Sequence, residues 1–342
     1  MLLAAVLISA AGLTGIIRAV ALKRQLLDIP NHRSSHQRPT PKGGGLAFVI
    51  TFLMALTGLV LTHAIPLSIY LALMAGGLIT AVVGYVDDLR ELSPKIRIIS
   101  HVGAAAIGLL CIGGMPPLNL GFTVWHWGWI GHAVGVLGLV WTINLYNFMD
   151  GIDGIAASEA VFASVAGGAL LIAAGTADLG TISLVLAAAC AGFLIWNWPP
   201  AKIFMGDTGS GFLGYMLGLL AIAGSGSSRM TLWLWGLLLG VFIVDTLVTL
   251  VTRVRAGRKW SQAHRSHAYQ HLTIRWGSHL KVTLAVNLIN VLWLLPLAVA
   301  AWQWPPGSLV LAAAGLVPLL ITAVVLKAGQ ESFSSTISSS GS

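Results

Sequence analysis

The stretch "AVGVLGLVWTINLYNFMDGIDGIAASEAVFASVAGGALLIAA" (residues 133–174) contains two apolar runs separated by a short polar turn. Each run approaches the roughly 20 residues that an α-helix needs to cross the hydrocarbon core of a bilayer. The turn between the runs is rich in amide and carboxyl side chains, namely Asn144, Asn147, Asp150 and Asp153. This pattern predicts two membrane-spanning helices that meet at a polar end.

The rest of the chain repeats the pattern of apolar runs and polar connections. Of its 342 residues, 56% are hydrophobic and 9% are charged, whereas a soluble domain carries about 25% charged residues. The sequence therefore predicts an all-α, polytopic transmembrane helical bundle with about 11 spans. The predicted spans are residues 2–22, 45–64, 67–86, 98–115, 128–146, 155–175, 181–197, 209–225, 230–252, 281–302 and 308–327.

The basic residues predict the orientation of the bundle, because Lys and Arg concentrate in cytoplasmic loops. If the N-terminus lies outside and the C-terminus in the cytoplasm, Arg229 is the only basic residue on the outer side. We interpret the net charge of +8 as the result of basic residues that set the membrane orientation and attract anionic head groups and phosphates. No nucleic-acid partner is expected, since no basic domain stands outside the membrane. Residues 1–327 form one predicted integral-membrane domain, and the Ser-rich residues 328–342 a predicted disordered cytoplasmic tail.

Several polar clusters fall at the predicted inner ends of the spans. Charges near a bilayer are costly and usually functional, although Asp153 and Asp207 also suit simple helix caps. The clusters are "PTPKGGG" with Lys42, "GYVDDLREL" with Asp87 and Asp88, "WNWPPAKIFMGDTGSG" with Lys202 and Asp207, and "HRSHAYQHL" with His264, Arg265, His267 and His271.

The chemistry of these clusters favours a divalent cation and phosphate groups. Adjacent carboxylates such as Asp87 and Asp88 repel each other unless a cation or a proton relieves them. Oxygen ligands suit Mg²⁺, or Mn²⁺, better than zinc. A zinc site at His267 and His271 is disfavoured by neighbouring basic residues. The glycines of "GDTGSG" and "PTPKGGG" would let backbone N–H groups approach a phosphate, although the second motif also fits an ordinary turn into a helix.

In these motifs the sequence resembles the polyprenyl-phosphate N-acetylhexosamine-1-phosphate transferases of glycosyltransferase family 4. The resemblance runs in order through "DIPNHRSSHQRPTPKGGG", the "DD" pair, "NLYNFMDGIDG", "FMGDTGSGFLG" and the histidine loop, and so covers nearly the whole chain. Glu91 stands where many relatives have Asp. The spaced histidines look more like the O-antigen and common-antigen initiating enzymes than the muramoyl-pentapeptide transferase, which remains the alternative.

The resemblance implies a catalytic domain in the bacterial inner membrane with its active site on the cytoplasmic face. The enzyme would use Mg²⁺ to transfer an N-acetylhexosamine-1-phosphate from a UDP-sugar to undecaprenyl phosphate. It would release UMP and initiate a cell-surface polysaccharide, as in O-antigen and lipopolysaccharide synthesis. The oligomeric state is not readable, and a homodimer is left open.

The expected roles combine the resemblance with the residue chemistry. The acidic pair, the nucleotide-pocket aspartates, the metal-binding Asp and the histidines match family motifs. The expected catalytic residues are Asp87, Asp88, His264, Arg265 and His267, the expected metal ligands are Asp207 and Asp88, and the expected substrate-binding residues are Lys42, Asn144, Asn147, Asp150, Asp153, Lys202 and His271.

Other function classes fit the sequence less well. A transporter would carry its site near the bilayer midplane, often at repeated broken helices, but here the acidic residues crowd one face and no repeat is visible. A lipid-phosphate phosphatase would not depend on a UDP-sugar. Asp245, deep in the ninth predicted span, is expected to have a structural role, either pairing with a basic residue of the histidine loop or capping a polar pocket.

Overall fold

The computed structural model describes residues 1–30, 38–227, 229–258 and 264–330. Across these residues the chain is predominantly α-helical, as the sequence predicts. Two short antiparallel hairpins accompany the helices: β1 (Leu27–Asp28) with β2 (Thr40–Pro41), and β3 (Leu118–Asn119) with β4 (Val124–Trp125). The helices are α1 (Leu2–Lys23), α2 (Gly45–Leu61), α3 (Leu67–Leu89), α4 (Pro94–Cys111), α5 (Ile130–Met149), α6 (Ile155–Ala173), α7 (Ala177–Asn197), α8 (Asp207–Gly224), α9 (Leu232–Leu238), α10 (Gly240–Arg255), α11 (Ala268–Trp276), α12 (His279–Ile289), α13 (Leu295–Gln303) and α14 (Ser308–Val325).

The helices are those of a multi-pass membrane protein. Among the described residues, seven helices are long and apolar enough to cross a membrane, or eight if the bent pair α9 and α10 counts as one span. Helix α2 is apolar but shorter, and α5 and α8 are also predicted spans that lie outside this set. The number of crossings and the orientation of the termini therefore stay predictions.

Helix α8 is the central element of the bundle. Nearly all of its residues are buried, and it packs against α3 on one side and α5 on the other. Close approach of α3 requires Gly84, because a Cβ at that position would lie 2.3 Å from the backbone oxygen of Asp207. This packing brings the end of α3 and the start of α8 together, and with them two of the predicted polar clusters.

Three parts of the predicted helix pattern differ in detail. The ninth predicted span is broken, since α9 and α10 meet at an angle of 87°. Gly240 starts α10 in contact with other helices, where a Cβ would lie 2.8 Å from Leu316 Cδ2. The predicted histidine loop contains the additional helix α11. A π-helical turn, Asn290–Leu294, interrupts the tenth span between α12 and α13.

The polar connections meet at one end of the bundle. Arg18 Nε, near the end of α1, donates to the backbone oxygen of Lys202 at 3.2 Å. The backbone N–H of Gly44, just before α2, donates to Phe204 O at 2.9 Å. The α5–α6 connection is joined to the α7–α8 connection through Asp153, which accepts from the backbone N–H of Ala201 at 3.0 Å. The clusters that the sequence assigns to the inner face therefore share one face of the molecule.

The end of the last span is folded against the histidine segment (residues 264–271). Gly329 N–H donates to Ser266 O at 2.7 Å, His271 Nδ1 donates to Leu326 O at 2.8 Å, and Ala328 is buried. Residues 328 and 329, the first of the predicted tail, therefore pack against the histidine segment. The rest of the predicted tail, residues 331–342, lies outside the described residues.

Candidate active site

A polar cavity of about 670 Å³ opens at the common end of the helices. It lies where the ends of α3, α5 and α7 meet the starts of α4, α6, α8 and α12. Its lining contains seven of the predicted site residues, namely Lys42, Asp87, Asp88, Asn147, Asp150, Asp153 and Asp207. It also contains side chains that were not singled out in the sequence for catalysis or binding, notably Asp28, Glu91, Arg97, Gln270 and His279.

Asp87, Arg97 and Asp207 form the charged centre of the cavity. Arg97 Nη1 lies 2.9 Å from Asp87 Oδ2 and 4.0 Å from Asp207 Oδ2. Both carboxyl groups therefore lie beside the same guanidinium. Asp87 Oδ1 also accepts from the backbone N–H of Leu92 at 2.6 Å, where the chain turns from α3 into α4. The guanidinium therefore offsets the repulsion between two close carboxylates.

Asp88 also lines the cavity and caps helix α8. Its Oδ1 accepts from the backbone N–H of Asp207 at 3.0 Å, and its Oδ2 accepts from the backbone N–H and the hydroxyl of Thr208 at 3.1 and 2.8 Å. Gly206, with φ of +78°, leaves room for this carboxylate, because a Cβ there would lie 2.7 Å from Asp88 Oδ2. Asp88 thus positions Asp207 and offsets the positive end of the helix.

The same contacts change the interpretation of the two glycine motifs. The first N–H groups of α8 donate to Asp88, so they are not available to a phosphate in the way that "GDTGSG" suggested. The glycines of "PTPKGGG" dock onto the strand of chain before α8, since Gly44 and Gly45 donate to Phe204 O and Met205 O, both at 2.9 Å. Only Lys42 of that motif lines the cavity. Both glycine motifs therefore build the site rather than contact an anion through their glycines.

The amides at the end of α5 differ in their placement. Asn147 Nδ2 donates to Asp207 Oδ1 at 2.7 Å and to Ser210 Oγ at 3.1 Å, which fixes the orientation of the Asp207 carboxylate. Asn144 lies deeper and its Nδ2 donates to Val140 O of its own helix at 2.7 Å. Asn144 lines a small adjoining cavity together with Asp87, Arg97 and Asp207. The structure therefore places Asn147 in the main cavity and Asn144 next to it.

The acidic turn (residues 150–153) connects α5 to α6 along the cavity. Burial raises the pKa of the Asp150 carboxyl well above its usual range, and the negative charges of Asp207, Asp88 and Asp153 raise it further. Asp153 is engaged in the fold: its Oδ1 lies 3.1 Å from His279 Nδ1, and its Oδ2 accepts from the backbone of Ala201 at 3.0 Å. A ligand that contacts the turn would find Asp150 as its available carboxyl group.

The histidine segment packs behind the acidic turn and is anchored by Asp245. The Asp245 carboxylate accepts from the backbone N–H groups of Ala268 and Tyr269, both at 2.9 Å, and lies 3.1 Å from His267 Nδ1. The structural role expected for Asp245 is confirmed, because it caps α11 and pairs with His267. The hydroxyl of Tyr269 donates to Phe148 O at 3.0 Å, which attaches this segment to the end of α5.

The predicted residues of the histidine segment do not line the main cavity, whereas Gln270 does. The ring of His264 stacks on that of His267 with centroids 5.1 Å apart. Burial, together with the charges of His267 and Arg253, lowers the pKa of His264 to about 3, so His264 is a neutral imidazole at pH 7. Arg265 Nε is buried and has no acceptor among the described residues. His271 donates to Leu326 O, so its ring supports the last helix rather than the cavity.

Lys202 is the other predicted substrate-binding residue that the structure places elsewhere. Its Nζ lies 5.6 Å from the centroid of the Trp196 ring, which Arg18 also approaches at 5.7 Å. This arrangement is a cation–π contact outside the cavity lining. Arg97 and Gln270, which were not singled out in the sequence, do line the cavity. The sequence did contain a signal for Arg97, namely a basic residue ten positions after Asp87.

The carboxylates of the cavity are the type of donor that a hard divalent cation prefers. Among the described residues, no three His, Cys, Asp or Glu side chains converge into a closed metal site. Asp207 and Asp87 offer carboxylate oxygens at the cavity, and Mg²⁺ is commonly held by one or two carboxylates plus phosphate oxygens and water. This donor set suits an open site that is completed by a diphosphate.

Known proteins resemble the chain over most of its length. A family model described as "Glycosyl transferase family 4" matches residues 70–225, which include Asp87, Asp150 and Asp207 but not the histidine segment. The chain is 31% identical over 286 residues to a probable undecaprenyl-phosphate N-acetylglucosaminyl 1-phosphate transferase of Bacillus subtilis, covering 81% of this chain and 78% of that protein.

Two further relatives differ in the sugar that their names specify. A decaprenyl-phosphate N-acetylglucosaminephosphotransferase of Mycolicibacterium smegmatis is 30% identical over 321 residues, with 80% of this chain and 75% of that protein covered. A phospho-N-acetylmuramoyl-pentapeptide-transferase of Moorella thermoacetica is 34% identical over 228 residues, but covers 62% of this chain and 68% of that protein. The N-acetylglucosamine-type relatives thus match a longer part of the chain.

Proposed function

Because the chain belongs to glycosyl transferase family 4, we propose that it transfers N-acetylglucosamine 1-phosphate from a UDP-sugar to a polyprenyl phosphate. The observation that carries the proposal is the centre formed by Asp87, Arg97 and Asp207 at the mouth of a membrane bundle. A soluble nucleotide and a lipid phosphate can meet only at such an end. The longer matches to N-acetylglucosamine-type relatives favour this donor over a muramoyl-pentapeptide donor.

In the proposed reaction an oxygen of the lipid phosphate attacks the β-phosphorus of the UDP-sugar. The bond from that phosphorus to the bridging oxygen breaks, which releases UMP and leaves a lipid diphosphate sugar. Phosphoryl transfer depends mainly on positioning and on neutralising charge. Arg97 and Lys42 supply positive charge at the cavity, Asn147 orients Asp207, and Asp150 lies where the nucleotide part of the donor would bind.

Asp87 is better suited to orientation than to general-base catalysis. The second pKa of a phosphate monoester is about 6, so little proton remains on the lipid phosphate at pH 7. The Asp87 carboxylate is also held by Leu92 and Arg97, which limits its use as a nucleophile for an aspartyl-phosphate route. Bound Mg²⁺, or Mn²⁺, would neutralise the diphosphate, with Asp207 and Asp87 as its protein ligands. Asp88, the second ligand expected from the sequence, would instead hold Asp207 in place, because both of its oxygens accept hydrogen bonds at the start of α8.

The histidine segment would act at the far side of the diphosphate. Arg265 Nε is a buried donor without an acceptor among the described residues, and such a group suits an anionic ligand. His264 would act beside it as a neutral imidazole, and His267 is held by its contact with Asp245. The remaining parts of the proposal are the cytoplasmic position of this face, the bacterial inner membrane, the initiation of an O-antigen-like polysaccharide and a homodimer.

A donor panel tests the proposed function. Purified protein would be incubated with undecaprenyl phosphate, Mg²⁺ and either UDP-N-acetylglucosamine, UDP-N-acetylgalactosamine or UDP-N-acetylmuramoyl-pentapeptide, and the released UMP would be measured. We expect lipid-dependent UMP with UDP-N-acetylglucosamine. If UMP were released only with UDP-N-acetylmuramoyl-pentapeptide, the protein would be a muramoyl-pentapeptide transferase instead. Inorganic phosphate released from the lipid without a nucleotide would instead indicate a phosphatase.

A further inference from the structure

Four polar side chains of the tenth span face α6 and the acidic turn in a row. We call His279, Thr283, Asn287 and Asn290 the polar ladder; they extend from the cavity along about 16 Å of helix, at a rise of 1.5 Å per residue. At the cavity end, His279 Nδ1 lies 3.1 Å from Asp153 Oδ1, and the Thr283 hydroxyl donates to Asp153 O at 2.9 Å. The ladder therefore ties the acidic turn to α12.

The ladder continues away from the cavity along the first turns of α6. Asn287 Nδ2 donates to Ser158 Oγ at 3.0 Å. Asn290, the first residue of the π-helical turn, donates through Nδ2 to Glu159 Oε2. Both Glu159 and Asn290 are fully buried. Glu159 is thus an acidic residue inside a bundle of apolar helices, and the reaction proposed above does not use it.

An ionised carboxylate at Glu159 would be poorly stabilised. None of the described Lys, Arg and His side chains forms an ion pair with it, and the nearby titratable group is the Tyr146 phenol. Burying an unpaired charge among apolar helices is expensive. The π-helical turn at Asn290 is a further unusual feature, since such turns are rare and are frequent at functional sites.

The unpartnered atoms of the pair indicate where a proton resides. Glu159 Oε1 and Asn290 Oδ1 are both buried without a hydrogen-bond partner among the described residues. Both atoms are acceptors if the carboxyl group is ionised, and they cannot satisfy each other. A proton on Oε1 makes it a donor to the amide oxygen. The acid and the amide then share two hydrogen bonds, and no buried charge remains.

Two other occupants would satisfy these atoms less well. A cation such as Ca²⁺ takes at least six oxygen ligands, whereas the pair offers two unpartnered ones. A water molecule could donate to both oxygens, but it would leave the carboxylate charge uncompensated. The proton is the one occupant that completes the hydrogen bonds and also removes the charge.

We propose that Glu159 is a neutral carboxylic acid that forms a double hydrogen bond with Asn290, and that the pair and the ladder position the acidic turn for the transfer reaction. Glu159 is a positioning residue, because it touches no substrate and acts through the start of α6 on Asp150 and Asp153. The positioning part rests on the proposed function, whereas the protonation part does not.

Infrared spectroscopy tests the protonation without any enzymatic assay. The purified full-length protein and Glu159→Gln would be compared at pH 7 in H₂O and D₂O. We expect the wild-type protein to show a protonated carboxyl C=O stretch that shifts in D₂O and is missing from Glu159→Gln. A wild-type spectrum without a band assignable to this residue would overturn the neutral acid.

Steady-state kinetics test the positioning. A glutamine has the shape of the neutral acid and can form the same double hydrogen bond, so Glu159→Gln should keep kcat and KM within about twofold, whereas Glu159→Ala should raise the KM for the UDP-sugar at least tenfold. The KM for the lipid should not change. Ser164→Ala, which alters a buried hydroxyl on α6 beyond the ladder, is the matched control. Equal loss of activity in Glu159→Gln and Glu159→Ala would overturn the proposal.

Milder variants keep the test decisive if Glu159→Ala does not fold. Thr283→Val removes the hydrogen bond from α12 to Asp153 O, and Asn287→Ala removes the hydrogen bond from α12 to Ser158 Oγ at the start of α6. Both should raise the KM for the UDP-sugar while the melting temperature stays close to that of the wild type. Unchanged kinetics in both would show that the ladder has no role in positioning. The donor panel on the wild-type protein reports separately on the proposed function.

Discussion

Asp207 holds the most exposed position in the charged centre of the cavity. Its Oδ1 is oriented by Asn147 and its Oδ2 is directed toward Arg97, so an isosteric amide would preserve the shape but not the charge. We expect Asp207→Asn to fold and to lower kcat by about 10²- to 10³-fold, the scale of losing one group that stabilises transition-state charge. UMP release would measure the change, and wild-type activity should vanish in EDTA and return with Mg²⁺ or Mn²⁺.

The control for this variant is Asp178→Asn, which makes the same chemical change in the first turn of α7, at the opposite end of the bundle. That variant should turn over at the wild-type rate. Full activity of Asp207→Asn, or of the wild type in EDTA, would remove the carboxylate and the metal from the mechanism.

Arg97 is expected to matter as much as the carboxylates that it joins. Arg97→Ala would leave Asp87 and Asp207 facing each other without the intervening positive charge, so we expect kcat/KM to fall by about 10²-fold. Arg97→Lys should retain part of the activity, because a lysine restores the charge but not the planar fork. The exposed Arg90, at the end of α3, provides the control Arg90→Ala. Equal activity of Arg97→Ala and Arg90→Ala would contradict the role of Arg97.

The roles of neighbouring residues could not be separated from the sequence alone. Asp87 and Asp88 look equivalent in "DD", but successive residues on an α-helix point about 100° apart, at 3.6 residues per turn. Both residues line the cavity, but Asp87 pairs with Arg97 whereas Asp88 caps α8. Seven of the predicted residues line the cavity, because polar residues are costly beside a membrane and collect at the helix ends, whereas Arg97 and Gln270 were not singled out. Lys202 and His271 obey the same rule, yet they contact Trp196 and Leu326, and such contacts depend on distant parts of the chain.

Among the elements, α11 illustrates how one buried carboxylate can organise a segment. Asp245 accepts hydrogen bonds on both oxygens, so Asp245→Asn would place an amide N–H₂ against a backbone N–H. We expect the variant to lose about 1–3 kcal/mol of stability through the unsatisfied donor and to lose turnover through His267. Thermal unfolding in detergent and UMP release would measure the two effects. A wild-type melting temperature with wild-type turnover would contradict this anchoring.

Long apolar runs in the sequence predicted most of the long helices. They did not predict where a helix is broken, and they did not predict the short helix α11. The π-helical turn in the tenth span and the break between α9 and α10 lie within continuous apolar sequence, so hydropathy gives no signal for them. Helix α11 has nine residues and a polar composition, and its start is stabilised both by Asp245 and by the local capping contact of His267 with Gln270. Local patterns therefore predict the bundle, and tertiary contacts determine its irregularities.

For the whole molecule, the distribution of basic residues predicts which face meets the cytoplasm. In a background with both native cysteines replaced by alanine, a cysteine would be introduced either at the exposed Ala256, after α10, or at the exposed Thr123, in the β3–β4 hairpin. An impermeant thiol reagent applied to intact cells should label Thr123→Cys, whereas Ala256→Cys should react only after the cells are opened. Labelling of Ala256→Cys in intact cells would reverse the orientation and the face of the active site.

The contacts of the last span have a consequence for biosynthesis. The histidine segment leaves the ribosome before α14, yet Ser266 and His271 receive their hydrogen bonds to residues 326–329 only after that helix has been made. Asp207, Asp88 and Arg97 have by then long been translated. A nascent chain can thus assemble its charged centre early, but its histidine segment is completed only when the final helix has been inserted. The final packing of the histidine segment is therefore set by a helix that is made about 40 residues later than the segment itself.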